Sequence, residues 1–381
     1  MPESSTAPEP TVSPETTSSP PRNSGVAVIV GEVLWDCFDD RRVLGGAPLN
    51  VAWNLAGFGL DPLFVSAVGD DELGHEVLQR MRRWGLSTEA VAVLPGVPTG
   101  TVQVTMHDGE PHYDIVGGVA YDQIPTPDDA TINAVHRRVE EAKRAGFDSL
   151  LYHGSLAYRN ESSRRAIDRW RAEWPATIFL DINVRQPHFD PAWLTTLVPG
   201  TDVIKLNQAE LELISGREVH DAGGRKSAAA ELLAQHLHAG ADVASSQQTG
   251  GAGAARKAAS VQGLLVTLGS AGAEAYLASA RSDQAGPIRA IAPVPDPMID
   301  PVGAGDAFAS VVLHDWLHRP SQPASSADSS SSTGSTSVLA DSSTTSSAWS
   351  ATLRRAVTHA SRVCGLAGAT TDTRDFYHLS E

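Results

Sequence analysis

The run Ile299-Asp300-Pro301-Val302-Gly303-Ala304-Gly305-Asp306-Ala307-Phe308-Ala309 holds the residue types and spacing best suited to chemistry. Gly303-Ala304-Gly305 reads as a small-residue turn, and an apolar, helix-competent run from Ala307 to Leu313 follows it directly. A turn that opens a helix aims several unpaired backbone N–H groups at one point. Together with the helix dipole they favour an anion there. Asp306 puts a carboxylate in the same place. A carboxylate repels an anion, so it makes poor sense for anion binding alone. It suits a general base that takes a proton from a hydroxyl while the N–H groups hold the negative charge that develops. The same residues also fit a plain glycine turn with Asp as helix N-cap, and the stretch alone does not decide between the two.

Further polar candidates recur just beyond apolar runs: Asp36, Gly154, Asn183 with Arg185, Asn207, and Thr267 with Gly269. The runs before them read as buried parallel strands. They are 25–32, 149–155, 177–183, 202–207 and 263–269, with a further strand at 63–69. Helical periods intervene. One follows the Gly45-Gly46 turn, with Pro48 in its first turn and Gly57 at its end. Others span 70–84 (stopped by Gly85), 162–174, 208–214 (stopped by Gly216) and 349–368. This β-α alternation predicts an α/β fold with an open, mostly parallel sheet and helices on both faces. In such a sheet the strand C-termini share one edge, which gathers the scattered polar residues into one cleft. Residues 98–106 alternate apolar and polar, reach the turn signal His107-Asp108-Gly109-Glu110, and return through 111–116. They predict a small antiparallel β lid at about 98–118.

The chain has 381 residues, a net charge of -16 and no Lys/Arg cluster, which argues against nucleic-acid binding through a basic face. No stretch has the length of a membrane span. The two cysteines, Cys37 and Cys364, suggest no disulfide framework, so a reducing, cytoplasmic setting is expected. Residues 1–24 are rich in Pro, Ser and Thr with little apolar content, the composition of a disordered tail ahead of one domain over 25–381. Low-complexity stretches at about 239–257 and 319–347 read as surface insertions, because patterned sequence resumes after each. There is no His/Cys metal spacing and no Ser-His-Asp set, and His153 reads as a packed residue.

In combination these motifs resemble those of the PfkB (ribokinase-like) carbohydrate kinases, from about Gly25 to the C-terminus. Gly45-Gly46-Ala47-Pro48-Leu49-Asn50-Val51-Ala52 resembles the family's N-terminal signature, and Asp300 to Asp306 its C-terminal one. Asn207-Gln208-Ala209-Glu210 is similar to its Asn-x-x-Glu element, and Val266 to Gly272 to its nucleotide-binding strand and turn. Gly31 to Asp36 and Asp181 to Arg185 look most like bacterial fructokinase-type members.

The resemblance implies an ATP-dependent kinase that phosphorylates a primary hydroxyl of a keto-sugar or furanose, with fructose the first choice. It implies Asp306 as the base and Gly303, Ala304 and Gly305 as the anion hole, with Arg185 clamping the transferring phosphate. Asp36, Gly45, Gly46, Asn50 and Asn183 would contact the sugar. Asn207, Thr267, Gly269, Gly272, Ser361 and Cys364 would line the ATP site. Glu210, with Asn207, would organise Mg²⁺ through waters. K⁺ assistance and a homodimer through the lid are further expectations of the same kind. Pro301 stands where the family most often has Thr. Proline removes one N–H before the anion hole, so altered turn geometry is expected rather than lost activity. A nucleoside or 2-keto-3-deoxygluconate kinase, or a sugar- or nucleotide-binding protein without turnover, are the alternative readings.

Overall fold

Along the first strand the side chains divide between two cores. Val26, Val28 and Val30 pack on one side of the sheet and Ala27 and Ile29 on the other, all buried. That is the period-two alternation of a strand covered on both faces. The structure, a computed structural model, describes residues 24–107, 110–243, 262–278, 286–319 and 342–379.

The elements in chain order are β1 (Ala27–Val30), β2 (Leu34–Cys37), β3 (Arg42–Gly45), α1 (Ala47–Gly57), β4 (Leu63–Gly69), α2 (Glu72–Trp84), β5 (Val91–Leu94), β6 (Gly100–His107) and β7 (Glu110–Ile115). Then come α3 (Asp129–Arg144), β8 (Leu150–His153), α4 (Glu161–Glu173), β9 (Thr177–Asp181), α5 (Leu194–Leu197), β10 (Val203–Asn207), α6 (Gln208–Ser215) and α7 (Ala222–Val243). The chain continues with β11 (Gly263–Thr267), β12 (Ala273–Leu277), β13 (Ile288–Ala290), α8 (Ala304–Leu317) and α9 (Ser342–Val363).

The main sheet has nine strands in the order β13-β12-β11-β10-β9-β8-β1-β4-β5. From β11 to β5 every neighbouring pair is parallel; β12 and β13 are joined antiparallel at one edge. One core holds residues of α3, α4, α6 and α7, the other residues of α1, α2, α8 and α9. The chain order reverses between β1 and β8, which pair Val30 with His153 at their ends. In open α/β sheets such a reversal opens a crevice beyond the strand C-termini.

The lid is larger than the predicted hairpin. It is a separate four-stranded sheet, β3-β2-β6-β7. β6 and β7 pair antiparallel as expected, but β2 and β6 run parallel. Asp36 therefore sits on a lid strand, and Gly45 ends β3 instead of lying in a turn. Residues Asp108 and Gly109 of the predicted hairpin turn lie outside the described residues.

The last helix starts at Ser342, ahead of the predicted 349, and ends at Val363. No Gly or Pro interrupts Ser342 to Val363, so the end of the Ser-rich stretch has no breaker to keep it out of the helix. Gly365 follows, its N–H donating to the Arg362 carbonyl. Residues 1–23 of the predicted tail, 244–257 of the first predicted insertion and 320–341 of the second lie outside the described residues. Among the described residues no helix is long and apolar enough to cross a membrane.

Candidate active site

Asp306 lies in the first turn of α8, buried, with Gly303 as the helix N-cap at φ 80. The turn ahead of it is closed by two short bonds. The Val302 N–H donates to Asp300 Oδ1 at 2.9 Å, and the Ala304 N–H donates to the Pro301 carbonyl at 3.2 Å. Gly303 in third place supplies the positive φ that a type II turn needs. It is also required by packing, since a Cβ there would lie 2.3 Å from the Ala369 methyl. Proline at 301 gives up an N–H, yet its carbonyl closes the turn. The Ala304 N–H, expected in the anion hole, is thus already spent, whereas among the described residues the N–H groups of Gly303, Gly305 and Asp306 meet no acceptor. The start of α8 is thus a cluster of unspent donors at the positive end of a helix.

The Asp306 carboxylate has one firm partner: Asn50 Nδ2, from α1, donates to its Oδ2 at 2.8 Å. Burial pushes the Asp306 pKa up to about 6, with Asp181 adding to the rise, while the Asn50 bond, Lys205 and Arg185 hold it back. The group is ionised at neutral pH and close enough to neutrality to accept a proton readily.

Beneath the turn lies a buried ion pair. Lys205 Nζ donates to both oxygens of Asp181 at 2.9 Å, and the Tyr152 hydroxyl donates to Asp181 Oδ2 at 3.1 Å. Lys205 and Asp181 are direct partners in the β10–β9 register, so both project from the same face of the sheet. A Cβ on Gly305 would be 3.4 Å from Lys205 Nζ, which fixes the ammonium just under the donor cluster. Burial opposes the charge on Lys205, but Asp181 outweighs it and the pKa is raised. A permanent positive charge thus backs the N–H groups.

Glu210 is buried and joins α6 to the loop after β9. Its carboxylate accepts the Asn207 N–H and the Val184 N–H, each at 2.8 Å, while Asn207 Oδ1 accepts the Glu210 N–H at 2.9 Å. This is a reciprocal capping box. Burial and the nearby Asp181 charge raise the Glu210 pKa. The loop it holds carries Asn183, the sole non-glycine residue with positive φ among the described residues (45°), and then Arg185. Arg185 is exposed, and its charge reaches Asp306, Asp36 and Glu32.

On the lid side, Asp36 is half-buried, and burial raises its pKa to about 6 against the pull of Arg185. Gly45 faces it: a Cβ there would come 2.9 Å from Asp36 Oδ2. Gly46, at φ 110, leaves no room for a Cβ, which would lie 2.6 Å from the Glu32 carbonyl. Tyr113 of β7 lies within electrostatic reach of Asp300, Asp36 and Arg185.

The remaining predicted residues lie on the other flank. Thr267 pairs with Asn207 in the β10–β11 register. Gly269 has open space where a Cβ would be, whereas Gly272, at φ 94, is pressed on the Ala290 carbonyl, 2.0 Å from a Cβ position. Ser361 Oγ is spent on the Pro293 carbonyl at 2.6 Å. Cys364 is buried, and its carbonyl accepts the N–H groups of Ile299 and Asp300, so the end of α9 anchors the turn.

The structure therefore brings Asp306, Gly303, Ala304, Gly305, Asn50, Gly46, Gly45, Asp36 and Arg185 to one cleft, with Asn207, Glu210 and Thr267 beside it. Ser361 and Cys364 stand behind the turn. Sequence reasoning missed Lys205 and Asp181, whose signal was a charge inside or at the end of an otherwise apolar strand. It also missed Glu32, which is buried just after β1 with Oε2 unpaired among the described residues. Burial lifts the Glu32 pKa to about 7.

The family profile described as pfkB family carbohydrate kinase matches residues 28–351. The chain is 25% identical over 297 residues to probable fructokinase-4 of Arabidopsis thaliana, spanning 76% of this chain and 77% of that one. Alignments to probable fructokinase-2 of Arabidopsis thaliana and fructokinase-2 of Solanum lycopersicum are shorter and span 64% and 62% of those proteins. A fructokinase from Vibrio cholerae, solved with fructose, ADP and calcium, superposes with a TM-score of 0.59 at 19% identity over 92% of this chain and 96% of that one. The ribokinase of Arabidopsis thaliana, solved with ribose and ATP, gives 0.61 at 17% identity over 93% and 97%.

Proposed function

Since the chain belongs to the pfkB family of carbohydrate kinases, and is thus a phosphotransferase, we propose that it moves the γ-phosphate of ATP to a primary hydroxyl of a keto-sugar or furanose, fructose first among them. The observation that carries this reading is the buried Asp306 carboxylate, held by Asn50 at 2.8 Å beside the unspent N–H groups that start α8.

In this reading the sugar lies between Asp36, Gly46 and Asn50, whose carboxylate, backbone and amide groups match a polyol's donors and acceptors. Asp306 takes the hydroxyl proton as the oxygen forms its bond to the γ-phosphorus, and the bond to the β-bridging oxygen breaks to release ADP. The N–H groups of Gly303, Gly305 and Asp306 stabilise the charge on the transferring phosphoryl oxygens, with Lys205 behind them and Arg185 from the opposite loop. Phosphoryl transfer asks for positioning and charge neutralisation more than covalent help, and these residues offer both. The nucleotide lies on the β10–β11 flank, where Gly269 leaves open space. Among the described residues no three acidic, His or Cys side chains form a metal cage. Bound with the nucleotide, Mg²⁺ would supply charge neutralisation, and Glu210 would hold it through water. Both Glu210 oxygens already accept backbone N–H groups, so an outer-shell role suits it.

The test is ADP release measured across a panel of ketoses, aldoses, nucleosides and 2-keto-3-deoxygluconate. The highest kcat/KM on fructose or another keto-sugar is expected. A preference for nucleosides or the keto-acid would move the assignment to those kinases. Ligand binding without any turnover would overturn the catalytic reading.

A further inference from the structure

A cavity of about 280 Å³ lies along one face of α9, apart from the cleft just described. Its walls include Arg354, Arg355, Thr358, His359 and Arg362, with Leu379 across from them. The helix residues fall three and four apart, so they share one face. Among the described residues that line it there is no acid. Arg355 is paired with Asp315. Among the described residues Arg354 donates to Ser350 Oγ, and Arg362 to the carbonyls of Phe376 and His378. Among the described residues neither Arg354 nor Arg362 has a carboxylate partner, although Arg362 also stacks over the Phe376 ring at 4.6 Å, in a chain whose net charge is -16. Guanidinium forks that line one cavity without a carboxylate suit a phosphate.

His359 adds a second, independent feature. It is 1% exposed, and its Nδ1 has no partner among the described residues. Its Nε2 lies 3.1 Å from Asn54 Oδ1. Asn54 Nδ2 donates to the Asn50 carbonyl at 2.7 Å, which orients the amide so that its oxygen faces the imidazole. Burial and the nearby Arg362 lower the His359 pKa to about 3, so the ring is neutral. Nε2 then carries the proton, and Nδ1 presents a lone pair that wants a donor. Asn50 in turn donates to Asp306 at 2.8 Å. A buried series of contacts therefore runs His359–Asn54–Asn50–Asp306, entering Asn50 at its backbone carbonyl and leaving from its side-chain amide.

We propose that the α9 cavity binds a small phosphate ester bearing a free hydroxyl. Its phosphate lies on Arg354 and Arg362, its hydroxyl donates to His359 Nδ1, and occupancy is transmitted to the reaction centre through Asn54 and Asn50. In this role His359, Asn54 and Asn50 are positioning residues, and the site is separate from the cleft.

The probes are inorganic phosphate and glycerol 3-phosphate, titrated calorimetrically into the full chain with a nonhydrolysable ATP analogue saturating the cleft. Both should bind, the ester more tightly. Asp306→Asn should leave both affinities within twofold. Arg354→Gln, an exposed change outside the cleft that should leave basal kcat unaltered, should weaken both about tenfold or more through loss of one charge-assisted pair. Glycerol 3-phosphate should also shift the sugar KM or kcat of the wild type at least twofold and leave Arg354→Gln unmoved. Equal affinities in wild type and Arg354→Gln would overturn the site. Binding that depends on Arg354 without any kinetic change would overturn the link to Asp306. The binding arm reads no turnover, so it stands or falls apart from the kinase reading.

Discussion

Replacing Asp306 by Asn should make the protein more stable and nearly inactive, and the two effects have one source. The carboxylate is held at a pKa of about 6, against an ordinary 3.8, chiefly because it is buried. Below the ordinary value both folded and unfolded chains hold the proton, and the group has no effect. Between the two values the folded chain keeps a proton that the unfolded chain releases, so stability falls as pH rises. Above about 6 the full penalty applies, about 3 kcal/mol for a shift of about 2 units at 1.36 kcal/mol each. An amide of the same shape still accepts from Asn50 and never ionises. Asp306→Asn should therefore gain up to about 3 kcal/mol at pH 8, and clearly less at pH 5. Urea unfolding at both pH values measures this. In parallel, kcat should drop by about 10²–10⁴-fold or more through loss of the base, with ATP binding nearly unchanged. Wild-type turnover in this variant would refute the assignment of the base. A variant no more stable at pH 8 than the wild type would refute the claim that burial, rather than a compensating partner, sets the carboxylate's state.

Other changes test the supports of the cleft. The kcat/KM of the wild type should fall as pH drops through about 6, where Asp306 and Asp36 both take up protons, with a limiting slope above one; a flat profile down to pH 5 would speak against both roles. Lys205→Met leaves Asp181 buried without its cation and should cost about 3–5 kcal/mol in denaturant unfolding. Gly303→Ala meets both a positive φ of 80 and the Ala369 methyl, so a loss of at least about 1–3 kcal/mol and of most activity is expected from unfolding curves and initial rates.

The inner strands of the main sheet, β1, β4 and β8 to β11, were legible because each is buried on both faces and so appears as a largely apolar run. Helix ends at Gly85 and Gly216 were legible because both glycines take the left-handed conformation that stops a helix. The lid was only half legible. β2 and β3 are four residues each, too short for a period to show, and the parallel pairing of Leu34 with Gly100 has no local signature. β5, α3, α5, α7, β12 and β13 went unassigned. For α3 a signal was present: Ile132, Val135, Val139 and Ala142 are its buried residues, spaced three and four apart throughout. In the cleft, the motif residues could be found because glycines and polar groups cluster in sequence. Lys205 and Asp181 could not, because their pairing belongs to the register of two neighbouring strands and each looks alone like a flaw in a hydrophobic run. The chain His359–Asn54–Asn50–Asp306 is similarly hidden, since its first and second members are 305 positions apart.

The contact between Gly303 and Ala369 has a bearing on how the protein is made. Cys364 also holds Ile299 and Asp300 by its carbonyl, and Tyr377 fills the space against Gly57 at the end of α1. The turn ahead of Asp306 is thus braced by segments synthesised more than 60 residues later. On the ribosome, most of the sheet can form before these braces emerge, but the turn stays unsupported until they do. The turn is supported only once residues 364–369 have emerged, so nascent chains released before then should accumulate as folded-looking but idle protein.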